Sequence, residues 1–381
     1  MTSLWGTWMR GGTSKCWLFN AVDVDPLVRT TGLDQILVSA FGSGDPLQLD
    51  GVGGGTSTTS KAAVVRRSPV DGVDVDYLFA QVALGQRTVE WGSNCGNCAT
   101  AIGLYALQTG MVAVDSEVTV VRMRNQNTGA MLSAEIATPG GVVPADGGAT
   151  VPGTTALGVP VALTFTDVAP TRAGLLPTGR AVDLLEAGGH RYEATLINAG
   201  APAALLHAGD FGLTGSEGTS ALAERLPLLI ELRHRAALAM GLTEPGEPVQ
   251  HAVPKVGIVG PPLDYRTTDE NQVAVGEYDV AVRMVSMLAP HPAIGLTSAV
   301  AVAAAATVDG SIVARNVGLR RASSTLRIGT AAGVISTGAT LTADGLPRDI
   351  ALHRAARRIA RAELFLAEPS RTDTLRALAA S

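Results

Sequence analysis

Hydrophobic and polar residues alternate along this chain mostly in short runs. Leu4–Met9, Val64–Val65 with its flanks, Tyr77–Val82, Val118–Met123 and Met131–Ala137 carry the strand pattern, and several of them show the clear period of two of a half-buried strand. Tyr192–Ile197, Val256–Val259, Val280–Val285 and Leu326–Ile328 extend the same reading into the second half. Helical spacing is rarer. It predicts an amphipathic helix from about Ser220 to Met240 and an arginine-rich one near Asp349 to Ala360, whose basic stripe reads as a solvated face.

Two further helical segments have no polar face. Asn97–Gln108 and Ala293–Thr307 contain no charged residue, so each must be covered on every side, most simply by a sheet curled around it. Both hold the string AIGL, at Ala101–Leu104 and at Ala293–Leu296, and together they predict an α+β fold of two similar lobes. The boundary is expected within Ala169–Leu185, where Pro170, Gly174, Pro177 and Gly179 cluster. This divides the chain into an N-terminal lobe, 1–178, and a C-terminal lobe, 179–381.

Composition narrows the function. The 381 residues, 46% hydrophobic and 17% charged, are enough for two cores. A net charge of −5 gives no general attraction to nucleic acid, and the most apolar run, Ala299–Ala306, is far too short to span a bilayer. Met1–Gly6 lacks the basic and apolar regions of a signal peptide, and three cysteines make no disulfide framework, so a reducing, cytoplasmic setting is expected. Of 29 basic residues only Lys15, Lys61 and Lys255 are lysines. A desolvated lysine can lose its proton and act as a base, which arginine cannot.

The candidate chemistry lies at loops. Ser93-Asn94-Cys95-Gly96-Asn97-Cys98 enters the first apolar helix, where free N–H groups and the helix dipole attract carboxylates and lower the pKa of a nearby thiol. Cys95 and Cys98 form one C-x-x-C with no second pair at zinc spacing, and Cys98 reads as a core residue. Thr-Ser-Lys occurs twice, in Arg10-Gly11-Gly12-Thr13-Ser14-Lys15 and, after the glycine run Gly51–Gly55, in Thr58-Thr59-Ser60-Lys61. Neither is a Walker A loop; hydroxyls beside an amine suit an oxyanion, and Lys61 reads as an exposed loop lysine.

These segments resemble the PrpF-like family. The resemblance rests on MRGGTSK at Met9–Lys15, DGVGGGTSTTSKAAVV at Asp50–Val65, YLFAQV at Tyr77–Val82, SNCGN at Ser93–Asn97, INAGAPAALLHAGDFGLTGSE at Ile197–Glu217 and HPAIG at His291–Gly295. It implies a diaminopimelate-epimerase-like fold, each lobe a curled mixed sheet around a central apolar helix, with the active site in the cleft. It also implies isomerisation or tautomerisation of a small unsaturated polycarboxylate without metal or organic cofactor, with Lys61 and Cys95 as acid–base residues. Arg10 or Lys15 is expected near Lys61, lowering its pKa. Substrate-binding candidates are Arg10, Gly12, Thr13, Ser14, Lys15, Ser60, Asn94, Gly96, Asn97 and His291.

The sequence departs from the family at Asn198–Pro202, at Thr330–Gly333 and at Cys16, and it has no thiol after Cys98, which disfavours cysteine-pair epimerisation. A lineage-specific isomerase or cyclase of a natural-product intermediate and a non-catalytic binder stay as alternatives. A small carboxylate is the expected partner, with no nucleic acid and no membrane; pairing of two copies as a homodimer is left open.

Overall fold

The structure, a computed structural model, describes residues 2–92, 94–247, 251–317 and 325–366; Ser93 of the helix-entry motif lies outside them. The runs read as strands are strands, and further strands that the pattern did not single out join them. In the first half they are β1 (Thr2–Gly11), β2 (Ser14–Asn20), β3 (Lys61–Arg67), β4 (Val75–Val82), β5 (Val118–Asn125), β6 (Met131–Ala137) and β7 (Thr154–Thr166). In the second half they are β8 (Asp183–Ala187), β9 (His190–Ala199), β10 (Ala201–His207), β11 (Lys255–Gly260), β12 (Val280–Ser286), β13 (Thr325–Thr330), β14 (Gly333–Leu341) and β15 (Pro347–Leu366).

The pairing repeats. From β1 to β7, through each strand in turn, neighbours pair antiparallel, parallel, antiparallel, parallel, antiparallel and antiparallel. The series β9 to β15 shows the same succession. Each set curls around one helix, α1 (Gly96–Gln108) in the first and α2 (Leu296–Ala306) in the second. α1 is buried from Gly96 to Leu107 and α2 from Leu296 to Ala305, as their lack of charge requires. Fully buried aliphatic side chains such as Ile102, Leu104 and Val300 are worth roughly 1.5–3 kcal/mol each. The fold is therefore the α+β, two-lobed one expected. The shared AIGL string is out of register, however: Ala101–Leu104 lies in the second turn of α1, whereas Ala293–Gly295 precede α2 and Leu296 opens it.

The arginine-rich helix expected near Asp349 to Ala360 is instead the middle of β15. Its opening residues pair with β14, Ile350–Ala356 pair with β7, and Ala356–Leu366 pair with β1. The strand thus pairs with strands of both halves and links the two series into one sheet. Ile350, Leu352, Arg354 and Ala356 are buried at a period of two, but the arginines at 354, 357, 358 and 361 happen to fall at helical spacing. Neighbours on both sides override the helical propensity of alanine and arginine. The helix expected from Ser220 to Met240 is broken into Thr219–Ala223 and Leu226–Ala239, with Pro227 in the first turn of the latter.

Candidate active site

α1 and α2 meet at their N-termini. A Cβ on Gly96, the first residue of α1, would lie 2.5 Å from Cβ of Leu296, the first residue of α2, so only glycine allows this approach. Neither N-cap, Cys95 or Gly295, makes a side-chain capping bond. The first N–H groups of a helix have no partner within it, so two positive helix ends open on the space between the lobes.

That space is a narrow cavity of about 50 Å³. It is lined from the first lobe by Ser14, Thr58, Lys61, Gln81 and Asn94–Asn97, and from the second by Lys255, Ser286, His291 and Gly295–Ser298. Among the described residues no Asp or Glu is in its walls. The cavity shares Thr58, Gln81, Ser286 and Met287 with a larger chamber of about 420 Å³, whose sides include Val82, Leu84, Leu288 and Pro292. Ser57 and Ser286 hydroxyls meet at 2.9 Å between the lobes.

Lys61 is not on an exposed loop. It is the first residue of β3, 8% exposed, with its Nζ bonded to Oε1 of Gln81 and placed 5.3 Å from the Phe79 ring centre. The glycine-rich loop before it is pinned by buried Gln48, whose Nε2 donates to Ser60 Oγ (2.7 Å) and whose Oε1 accepts from the Gly55 N–H (3.0 Å).

Lys255 is the residue that sequence reasoning left out of the site. It opens β11 as Lys61 opens β3, at the corresponding place in the other lobe, and its Nζ donates to the Ala252 carbonyl at 2.6 Å. Burial first, and then the Lys61 ammonium, lower its pKa from 10.5 to about 8. Its rarity as one of three lysines was the available signal.

Cys95 lines the cavity as the N-cap of α1, but its thiol is not readily ionised. Contact with the Cys98 thiol, and then burial, push its pKa well above the usual thiol range. The helix-end effect expected to lower it is outweighed. Cys98 is fully buried in the core, and its own thiol contacts that of Cys16. His291 is neutral: burial, with Lys61, Lys255 and Arg354 nearby, lowers its pKa to about 3. The Ala293 N–H donates to its Nδ1 (3.0 Å), which leaves the ring hydrogen on Nε2. Asn94, 2% exposed, accepts the Tyr77 hydroxyl at 2.8 Å through Oδ1, and its Nδ2 donor has no partner among the described residues.

The other candidates stand around the cavity. Asn97 Nδ2 donates to Thr13 Oγ1 (3.1 Å) and to Ser14 Oγ (3.4 Å), and Gly12, at φ +50°, leaves room for the Asn97 side chain. Arg10, Gly12, Thr13, Lys15 and Ser60 are not among the cavity walls. Arg10 donates to the carbonyls of Gly12 and Leu157, and Lys15 sits 4.4 Å from the Trp8 ring centre. The cation that shares the cavity with Lys61 is Lys255, not Arg10 or Lys15. Asn198–Pro202 and Thr330–Gly333 form hairpin turns outside the cavity, the former with Gly200 packed against Val300 of α2. Among the described residues no three His, Cys, Asp or Glu side chains cluster to hold a metal, and no helix is long and apolar enough to cross a membrane.

Two strand-wrapped helices meeting at a shared cleft define the diaminopimelate-epimerase-like class. A hydroxyproline epimerase from Agrobacterium vitis superposes with a TM-score of 0.56 at 12% identity, covering 96% of this chain and 94% of that one, a likeness of fold. The particular family follows from the sequence match: the model described as PrpF protein matches residues 1–367, and the chain belongs to that family. It is 37% identical over 306 residues to the (4E)-oxalomesaconate Delta-isomerase of Novosphingobium sp. (strain KA1), covering 80% of each chain. It is 35% identical over 326 residues to the 2-methyl-aconitate isomerase of Shewanella oneidensis, covering 81% of this chain and 82% of the relative. The crystal structure of a methylitaconate-delta-isomerase superposes with a TM-score of 0.77 at 29% identity, covering 96% of both chains.

Proposed function

We propose that this chain is an isomerase that moves a proton and a double bond across three carbons of a small unsaturated polycarboxylate, using its own side chains as acid and base. The observation that carries this reading is the convergence of two uncapped helix N-termini on a cavity that holds two lysines and, among the described residues, no carboxylate. Such a cavity favours a multiply charged anion, and favours it more as charge builds up.

The chemistry follows in order. The substrate's carboxylates bind at the helix ends, with the hydroxyls of Ser14, Thr297 and Ser298 beside them. Lys61 is the base that takes a proton from the carbon next to the double bond, and the electron pair spreads into a dienolate. The N–H groups at the two helix ends, the Asn94 Nδ2 and the His291 Nε2–H are the donors for that charge. One preorganised donor of this kind is worth about 2.7–4 kcal/mol in the transition state. Reprotonation at the far carbon completes the shift. The chamber beyond Gln81 and Met287 admits the substrate. We place the reaction in the cytoplasm, a setting that suits the free state of Cys16, Cys95 and Cys98.

Binding of a charge mimic tests the dienolate site. A nitro analogue of a small polycarboxylate, ionised to its nitronate, is titrated calorimetrically beside the saturated acid of equal size. The nitronate is expected to bind at least ~100-fold more tightly, the lower end for transition-state analogues. Equal affinities would contradict the reading.

A further inference from the structure

The duplicated fold supplies one titratable group more than the chemistry above has used. β3 and β11 hold the same place in the two pairing series, each running parallel to the second strand of its lobe's leading hairpin. Their first residues are Lys61 and Lys255, and both line the one cavity, from opposite lobes. A 1,3 shift has two ends. We propose that Lys255 is the second proton carrier, so that Lys61 takes a proton at one end of the allylic system and Lys255 delivers one at the other.

This rests on the isomerase reading and balances as follows. A C–H bond breaks, its electron pair enters the dienolate, and its proton joins the Lys61 amine. An N–H bond of the Lys255 ammonium then breaks and a C–H bond forms at the far carbon, using that electron pair. Lys61 is left as ammonium and Lys255 as amine, and exchange with solvent restores the starting state.

Three observations favour Lys255 over Cys95 for the return. Lys255 is tied to the Ala252 carbonyl rather than to a carboxylate, so no ion pair withholds its proton. The groups that act on it are Lys61, Cys95, Arg233 and Glu90, with His291 on the same cavity, and burial, the leading cause, lowers its pKa toward the range in which an acid gives up a proton most usefully. The Cys95 thiol is moved the other way, by Cys98 and by burial.

Lys255→Met in heavy water separates the two half-reactions. With an acid that the wild type isomerises, the variant is expected to lose isomerisation by about 100-fold or more while Lys61 still exchanges the substrate's own proton for deuterium within ~10-fold of the wild-type rate. Equal losses of exchange and isomerisation would show a structural role for Lys255 and overturn the proposal, as would unchanged rates of both. A second experiment needs no variant: substrate deuterated at the reacting carbon is turned over once by the wild type in ordinary water. Two carriers leave no deuterium at the new position, whereas measurable internal return identifies a single carrier. If the wild type exchanges no acid at all, the isomerase reading itself fails, an outcome distinct from failure of the Lys255 role.

Discussion

Lys255 is held at an energetic cost, and removing it is expected to stabilise the fold. Its pKa falls from 10.5 to about 8, with burial the leading cause. At roughly 1.4 kcal/mol for each unit, the depression amounts to on the order of 3 kcal/mol against the folded state when the lysine is charged in both states. Lys255→Met removes this penalty and fills similar volume, but it leaves the Ala252 carbonyl without its donor, a loss of about 1–2 kcal/mol. The net gain at pH 7 is therefore about 1–2 kcal/mol. The pH dependence carries the cause. Below pH 8 folded and unfolded chains both bind the proton, and the folded state bears the whole penalty. Between pH 8 and 10.5 the folded chain releases it while the unfolded chain keeps it, so wild-type stability rises; above 10.5 the penalty is gone. Urea midpoints of both proteins across pH 7–10.5 measure this: the variant's advantage should shrink as pH rises. A variant less stable at pH 7, or an advantage that does not change with pH, would refute the reasoning.

Other expectations follow from the same cavity. Lys61→Arg keeps the charge but cannot act as an amine, so turnover in an NMR assay is expected to fall at least ~100-fold; near-wild-type turnover would remove Lys61 as the base. Cys95→Ser should keep turnover within ~10-fold, because a thiol whose ionisation is suppressed is replaced by a hydroxyl of similar size, and a loss of 100-fold or more would return the acid role to Cys95. Gly96→Ala places a methyl group 2.5 Å from Cβ of Leu296 and 2.9 Å from Cζ of Phe165, so thermal denaturation should show a loss of about 1–3 kcal/mol together with loss of nitronate binding.

Nine of the strands β1 to β15 and the two apolar helices were legible in the sequence because each rests on a local pattern, alternation in the first case and absence of charge in the second; β2, β7, β8, β10 and β14 were not singled out. The duplication was legible through the helices alone; the equivalence of Lys61 and Lys255 lies in strand order, which no short string records. β15 was misread because Arg354, Arg357, Arg358 and Arg361 imitate a helical stripe, while β1 and β7, which pair with its middle and end, lie far away in the chain. At the site, the cysteine motif marked the helix entrance, with Cys95 as the N-cap of α1. What the motifs could not show is side-chain direction: Arg10 and Lys15 follow each other into binding motifs yet are engaged by backbone carbonyls and by Trp8. Nor could they show that burial and Cys98 outweigh the helix dipole at the Cys95 thiol.

The most direct measurement is proton NMR of the wild-type protein in heavy water with a panel of small unsaturated di- and tricarboxylates, aconitate-like acids among them. A cavity with two lysines at the meeting of two helix ends should wash solvent deuterium into at least one of these acids and move its double bond, with both changes abolished in Lys61→Arg. Saturable binding of such an acid with neither exchange nor isomerisation would mark the protein as a binder and contradict the account.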